Sequence, residues 1–403
     1  MPGRLVRRSI IAMVLASTMA AALPAAAEED STATLRIGFL AQAVKRPPPQ
    51  PYLDAPPADE GVAGARLAID DDNTTGRFTG QRFVLEEATV PESGDVADGF
   101  RKLAGEGIRF VATDLPAGAL LAVADLPEAK GVTLFNAGAS DDALRAEKCR
   151  ANLLHTLPSR AMLADGLIEY LVTKQWRNVL LVTGPTEADR AYAAAVKRAI
   201  EKFHARLVAD NPWTYQPGAR RSDTGHYAIG AEVARFTQGF SYDVLVVADE
   251  DDEFGDYLAY ATYDPRPVAG THGLVATGWA RPHQEWGATQ LQDRFLHAAK
   301  RWMTDRDYAA WLAVRAVGEA ATRTRSIDPG AIAAYLRGEA FELGGYKGLP
   351  LSFRPWDGQM RQAILLADAR ALVSVSPQPA FLHQFSVLDT LGIDRPESQC
   401  HFH

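Results

Sequence analysis

What most constrains this chain is a rhythm of short apolar runs separated by stretches of helical length. Leu35-Arg36-Ile37-Gly38-Phe39-Leu40 alternates and then runs apolar, as a strand does. Ala63, Leu67 and Ile69 mark a helix expected to end at Asp70-Asp71-Asp72-Asn73, and Gly76 and Gly80 turn the chain into a strand at Phe83-Val84-Leu85. Helices are expected over 96–103 and 117–126, strands over 108–112 and 132–135. After Pro158 the rhythm restarts, with helices over 162–171 and 191–203 and strands over 179–182, 244–248 and 274–277. The runs at 179–182 and 244–248 are continuously apolar, which suits strands covered on both faces. Strands spaced by such helices imply βαβ units and parallel sheets. Two consecutive sets imply two similar α/β lobes rather than one large sheet.

The first residues read as an export signal. Arg4, Arg7 and Arg8 precede an apolar stretch from Ser9 to Leu23, and Ala25-Ala26-Ala27 offers a small-residue cleavage site. Residues 1–27 are therefore expected to be removed, which takes the formal charge from −8 to about −11. A chain this acidic is a poor partner for nucleic acid or an anionic membrane. No later stretch is apolar enough to be embedded in a bilayer. In an oxidising compartment the two cysteines, Cys149 and Cys400, read as a disulfide tying the C-terminal tail to the body. The rival reading is metal ligation by Cys400, His401 and His403.

In open parallel sheets, ligands bind beyond the C-terminal ends of the strands. That rule selects the loops 42–57, 114–118 and 137–142 in the first lobe, and 184–192, 249–256 and 278–286 in the second. Candidate ligand contacts are Asp114, Ala137, Ser140, Asp141, Asp189, Tyr192, Asp249 and Trp279. The loop after 244–248 holds six acids in eight residues: Asp249, Glu250, Asp251, Asp252, Glu253 and Asp256. Carboxylates this dense repel one another unless a cation neutralises them, and hard cations favour several carboxylate oxygens. The first five are the candidate metal ligands, with Asp114, Asp141, Asp142, Glu187 and Asp189 able to join from other loops. The plainer reading is an acidic helix start favoured by the helix dipole. No standard calcium loop is present: Phe254 stands where Gly is needed and Tyr260 at the closing Glu position. In Asp71-x-Asn73-x-Thr75-Gly76, Arg82 replaces that Glu.

The ordered set of elements resembles the Leu/Ile/Val-type periplasmic solute-binding proteins of ABC importers, with a type I periplasmic binding fold. The resemblance covers residues 33–377 and rests on Leu35–Leu40, Gly61–Asp72, Gly76–Val84, Phe135-Asn136-Ala137-Gly138-Ala139-Ser140 and Leu153-Leu154-His155-Thr156-Leu157-Pro158. It implies two lobes joined by three hinge strands. Lobe one would span 33–155 with 280–335, lobe two 156–279 with 336–377, and 378–403 would be a tail. It also implies ABC permease and ATPase subunits as partners, no catalysis, and Trp279 as a second-lobe ligand contact. A narrower resemblance rests on Phe254-Gly255-Asp256-Tyr257-Leu258, Pro265–Gly270, Asp307-Tyr308-Ala309-Ala310-Trp311, Leu351-Ser352-Phe353-Arg354-Pro355-Trp356 and Leu388-Asp389-Thr390-Leu391-Gly392. This set is similar to the subfamily associated with PQQ-dependent alcohol dehydrogenase systems, some of which are linked to lanthanide uptake.

No cofactor is required by this reading; a lanthanide or calcium ion is the candidate occupant of the acidic loop. PQQ, a planar tricarboxylate, is the competing ligand. It would draw on Trp279, Arg281, Trp286, Arg354 and Trp356. Asp114-Leu115-Pro116-Ala117-Gly118 lacks the Ser/Thr cluster expected for amino-acid binding. GxSxG, P-loop and HExxH motifs are absent, and His155, His226, His272 and His283 have no motif partner. An exported hydrolase with paired carboxylates and a sensory ligand-binding protein are the readings from other classes.

Overall fold

The computed structural model describes residues 33–43, 56–214, 232–259 and 261–402. The expected signal segment 1–27, nearly all of the proline-rich loop, His226, Tyr260 and His403 lie outside them.

The chain folds around two sheets. The first contains β1 (Ala33–Gln42), β2 (Gln81–Val90), β3 (Phe110–Asp114), β4 (Thr133–Asn136) and β5 (Leu153–His155). All are parallel, in the order β2-β1-β3-β4-β5. The second contains β6 (Asn178–Thr183), β7 (Arg206–Pro212), β8 (Val244–Ala248), β9 (Val268–Gly270) and β10 (Leu274–Thr277), parallel in the order β7-β6-β8-β9-β10. The two orders are the same pattern, so each sheet reverses its winding beside its first strand. A hairpin between β11 (Ser352–Phe353) and β12 (Met360–Arg361) follows. Then β13 (Ile364–Ala367) and β14 (Leu372–Ser376) add antiparallel to the β10 edge.

Helices cover the parallel strands of both sheets, as parallel pairing requires. Those near the first sheet are α1 (Val62–Thr79), α2 (Val96–Gly105) and α3 (Ala117–Ala124). In the second half come α4 (Arg160–Thr173), α5 (Glu187–Lys202) and the single turn α6 (Gly255–Leu258). Then follow α7 (Ala288–Ala299), α8 (Asp305–Thr324) and α9 (Pro329–Leu336), which return to the first sheet. Among these, α1 and α8 pack so closely that a Cβ on Gly64 would stand 1.8 Å from the Asp307 carbonyl oxygen.

Two expectations are corrected here. The first helix does not stop at the acids 70–72 but runs to Thr79. Asp71 accepts from Trp311 Nε1 at 2.9 Å and from Arg294 at 3.1 Å, while buried Asp72 pairs with Arg315. Asp71 and Asp72 thus face α8 and α7, and the acidic run does not end α1. Residues 336–360 were expected with the second lobe. Instead Phe341, Leu343, Leu351, Phe353 and Met360 are buried in the first-sheet core, because the β11–β12 hairpin lays its apolar side there. The chain changes sheets between β12 and β13.

Cys149 and Cys400 form a disulfide with Cα atoms 5.6 Å apart. The tail is also held from within. Arg354 donates from Nε to Asp389 Oδ1 at 2.8 Å and from Nη2 to the Leu391 carbonyl at 2.7 Å.

Candidate functional site

The strand ends place the site. Asp114 closes β3 and Asp249 follows β8, and these two strands hold equivalent positions in the repeated order. Ala137 is buried just past β4, and its N–H donates to the Thr113 carbonyl at 2.9 Å. The next turn presents Ser140 and Asp141, both half-buried. The Ser140 carbonyl accepts from the Arg160 N–H at 2.9 Å.

Arg160 is the centre of the arrangement. It is the first residue of α4, capped by Ser159, whose Oγ accepts from the Met162 N–H. Its guanidinium is bidentate to Glu250, with Nε to Oε1 at 2.8 Å and Nη2 to Oε2 at 2.6 Å. Its Nη1 stands 3.4 Å from the Asp141 carboxylate. One buried cation therefore joins the β4 loop of the first sheet to the β8 loop of the second. Burial pulls the Arg160 guanidinium down, but Glu250 and Asp141 outweigh it and leave the group above its ordinary value. Burial pushes the Glu250 carboxyl up, against the pull of Arg160. Tyr192, on the buried side of α5, has its phenol raised by burial and by the nearby Glu250 charge.

The first sheet contributes a second pair. Arg306, the second residue of α8, donates to Asp114 Oδ1 at 2.5 Å. Asp114 and Glu60 raise the Arg306 guanidinium despite its burial. Arg160 and Arg306 both sit at helix N-termini, where the dipole disfavours a cation. That local misfit was the available signal for both residues, and sequence reasoning missed them.

The carboxylates of the acidic loop turn to different partners. Asp249 turns inward: Oδ1 accepts from the Glu253 N–H at 3.0 Å, and Oδ2 accepts from Phe254 at 2.8 Å and Gly255 at 2.6 Å. Glu250 is taken by Arg160. Asp252 lies 3.3 Å from His272 Nε2 and Asp256 lies 3.9 Å from it. Burial lowers that imidazole, but Asp252 and Asp249 leave it above its ordinary value. Asp251 and Glu253 are exposed. Asp189 does meet the run, but through the backbone: Oδ1 accepts from the Glu250 N–H at 2.7 Å and Oδ2 from the Thr186 N–H at 3.0 Å. Asp142 accepts from the Ala161 N–H at 2.9 Å. Among the described residues, no group of three or more His, Cys, Asp or Glu is arranged to hold a metal ion. Of the expected set Asp249, Glu250, Asp251, Asp252 and Glu253, Asp249 meets loop backbone, Glu250 meets Arg160 and Asp252 meets His272, while Asp251 and Glu253 face outward, so this structure does not gather the five around one point.

The aromatic candidates are also largely committed. Trp279 is buried and stacked on Tyr308, ring centroids 4.4 Å apart. Trp356 lies between Arg354 and Arg361, at 5.4 and 5.2 Å from its ring. Arg354 is sealed against Asp389, so neither it nor Trp356 is brought to the strand-end loops. Nearby, buried Lys347 donates to Gln362 Oε1 at 2.7 Å and to the Ala363 carbonyl at 3.0 Å. It sits where the chain passes from β12 to β13.

A profile of the family described as periplasmic binding protein matches residues 53–227. No curated protein sequence matches the chain. Solved structures share its fold at low identity. A periplasmic binding protein from Burkholderia mallei is 15% identical, covering 91% of this chain and 98% of its own, with a TM-score of 0.62. An ABC transporter substrate-binding protein from Desulfitobacterium hafniense, solved in complex with Leu, is 18% identical over 84% and 98%, with a TM-score of 0.63. A solute-binding protein from Rhodopseudomonas palustris BisB5, in complex with 3,4-dihydroxybenzoic acid, is 14% identical over 86% and 98%, with a TM-score of 0.59. The fold is that of the type I periplasmic binding proteins: parallel α/β sheets flanked by helices.

Proposed function

We propose that this chain is the periplasmic solute-binding component of an ABC importer and captures a small organic carboxylate between its two sheets. The observation that carries this reading is Arg160, which reaches Asp141 from one sheet and Glu250 from the other. A carboxylate entering there competes for a guanidinium already oriented at the hinge of both halves, and a bidentate Arg–carboxylate pair supplies geometry as well as charge. The acids beside it favour a second, cationic or hydrogen-bond-donating end on the ligand. Capture would draw the two strand-end faces together, and permease and ATPase subunits would receive the loaded protein. Among the described residues no helix is long and apolar enough to cross a membrane.

The narrower motif set supports placing this importer beside PQQ-dependent alcohol oxidation. Loss of the gene should then slow growth on an alcohol and leave growth on an organic acid unchanged. For the ligand, calorimetry with leucine, 3,4-dihydroxybenzoate, PQQ, lanthanum and calcium separates the readings. An organic carboxylate should bind, and Arg160→Ala should abolish its heat. Stoichiometric lanthanum or calcium binding with silence from every organic probe would sink this reading in favour of a metal cargo.

A further inference from the structure

The C-terminal tail is gripped by both halves of the fold within a few residues. It leaves the second sheet at β14 and reaches the first half at Cys400, which is bonded to Cys149 between β4 and β5. On the way, buried Asp389 accepts from Arg354 and Arg361 of the β11–β12 hairpin, each at 2.8 Å. That hairpin belongs to the first-sheet core. Two residues on, Leu391 is fully buried in the core of the second sheet.

The second half adds polar holds. Lys202, the last residue of α5, donates to the Thr390 and Gly392 carbonyls at 2.8 and 3.0 Å. The Gly392 N–H donates to buried Asp165 of α4 at 2.7 Å. Gly392 has a φ of 84°, which glycine tolerates and other residues resist. A Cβ there would stand 2.7 Å from Met162 Cγ on α4 and 3.3 Å from Arg354 Nη1 on the hairpin. The tail backbone is therefore wedged between the halves with no room for a side chain.

Elsewhere the chain passes between the halves after β5, β10 and β12. Short crossings of this kind let two bodies rotate about them. The tail opposes such rotation. A wide swing of either half would draw Asp389 from its arginines or Leu391 from its core, and a buried charge stripped of its partner is costly.

We propose that the tail is a strap that limits how far the two halves rotate, with residues 389–392 as its wedge and the Cys149–Cys400 bond as its clasp. The strand-end faces are thereby held within a narrow range of separations before any ligand arrives, and closure on a ligand stays within that range.

The test is a distance distribution by double electron–electron resonance on the full chain. Spin labels go on exposed Glu92, after β2, and exposed Glu187, after β6, through non-cysteine chemistry. The variant Cys400→Ser/Lys202→Met releases the clasp and one hold, while Arg198 still pairs with Asp165. Its distribution should be at least about twice as broad as that of the wild type. Thr304→Ala, which loosens the α8 cap instead of the tail, should leave the distribution unchanged. A wild-type distribution already as broad as the double variant's, or equal broadening by Thr304→Ala, would overturn the proposal. The measurement uses no ligand, so its outcome is independent of what the cleft binds.

Discussion

Asp389 accepts from Arg354 and from Arg361, each at 2.8 Å, with Arg354 sealed from water and Arg361 partly exposed. Removing one partner of a buried pair leaves an uncompensated charge, which costs about 3–5 kcal/mol. Arg354→Ala should therefore lower stability by about that amount in urea unfolding, and Arg361→Ala by much less. Lys347 predicts a pH dependence. Burial pulls its ammonium down from 10.5 to about 7, with Asp305 pulling the other way. The unfolded chain holds that proton up to the ordinary lysine value, and the folded chain releases it near neutrality. The unfolded state thus binds more protons across that window, and stability rises with pH through it. Against Lys347→Met, the wild-type urea midpoint should gain between about pH 7 and about pH 9; a constant difference would refute the depressed value.

At the scale of the element, α8 shows how one acid fixes a helix in place. Thr304 and Asp307 form a capping box, each side chain bonding the other's N–H. Asp307 also accepts from the Gly61 N–H at 2.8 Å and pairs with Arg301. Thr304→Ala should cost about 1 kcal/mol, as lost caps do. Asp307→Ala should cost more in the same unfolding experiment, because it frees the α1 entrance as well as the cap. The legible elements were those with strong local pattern: β8 and β10 fall where their apolar runs predict. The edge strand β7 carries no clear local pattern, since Arg206-Leu207-Val208-Ala209-Asp210-Asn211-Pro212 is half-exposed and its composition is mixed. The same holds for β13 and β14, five residues or fewer, which gain their pairing from an edge distant in sequence.

The whole molecule is closed by the bond between Cys149 and Cys400, 251 residues apart. Such closure restricts the unfolded chain, typically by about 2–4 kcal/mol. Cys400→Ser should lower stability on that scale in urea unfolding, with the Cys149 thiol becoming titratable on denaturation. The link between sheets predicts a second effect. Arg160→Ala should speed amide exchange in both the 137–142 and 249–256 loops, and unchanged exchange in either would show that Arg160 does not couple them.

From the sequence alone came the α/β class, the parallel sheets and two consecutive sets of strands and helices. These follow from periodicity and burial, which are local properties of the chain. The assignment of charges was decided only by tertiary structure. Asp249, Glu250 and Asp252 are near-identical neighbours in the sequence. Yet one caps its own loop, one holds Arg160 from α4, and one faces His272 after β9. A carboxylate's role depends on which donor another segment brings within about 3 Å, and no local pattern encodes that meeting.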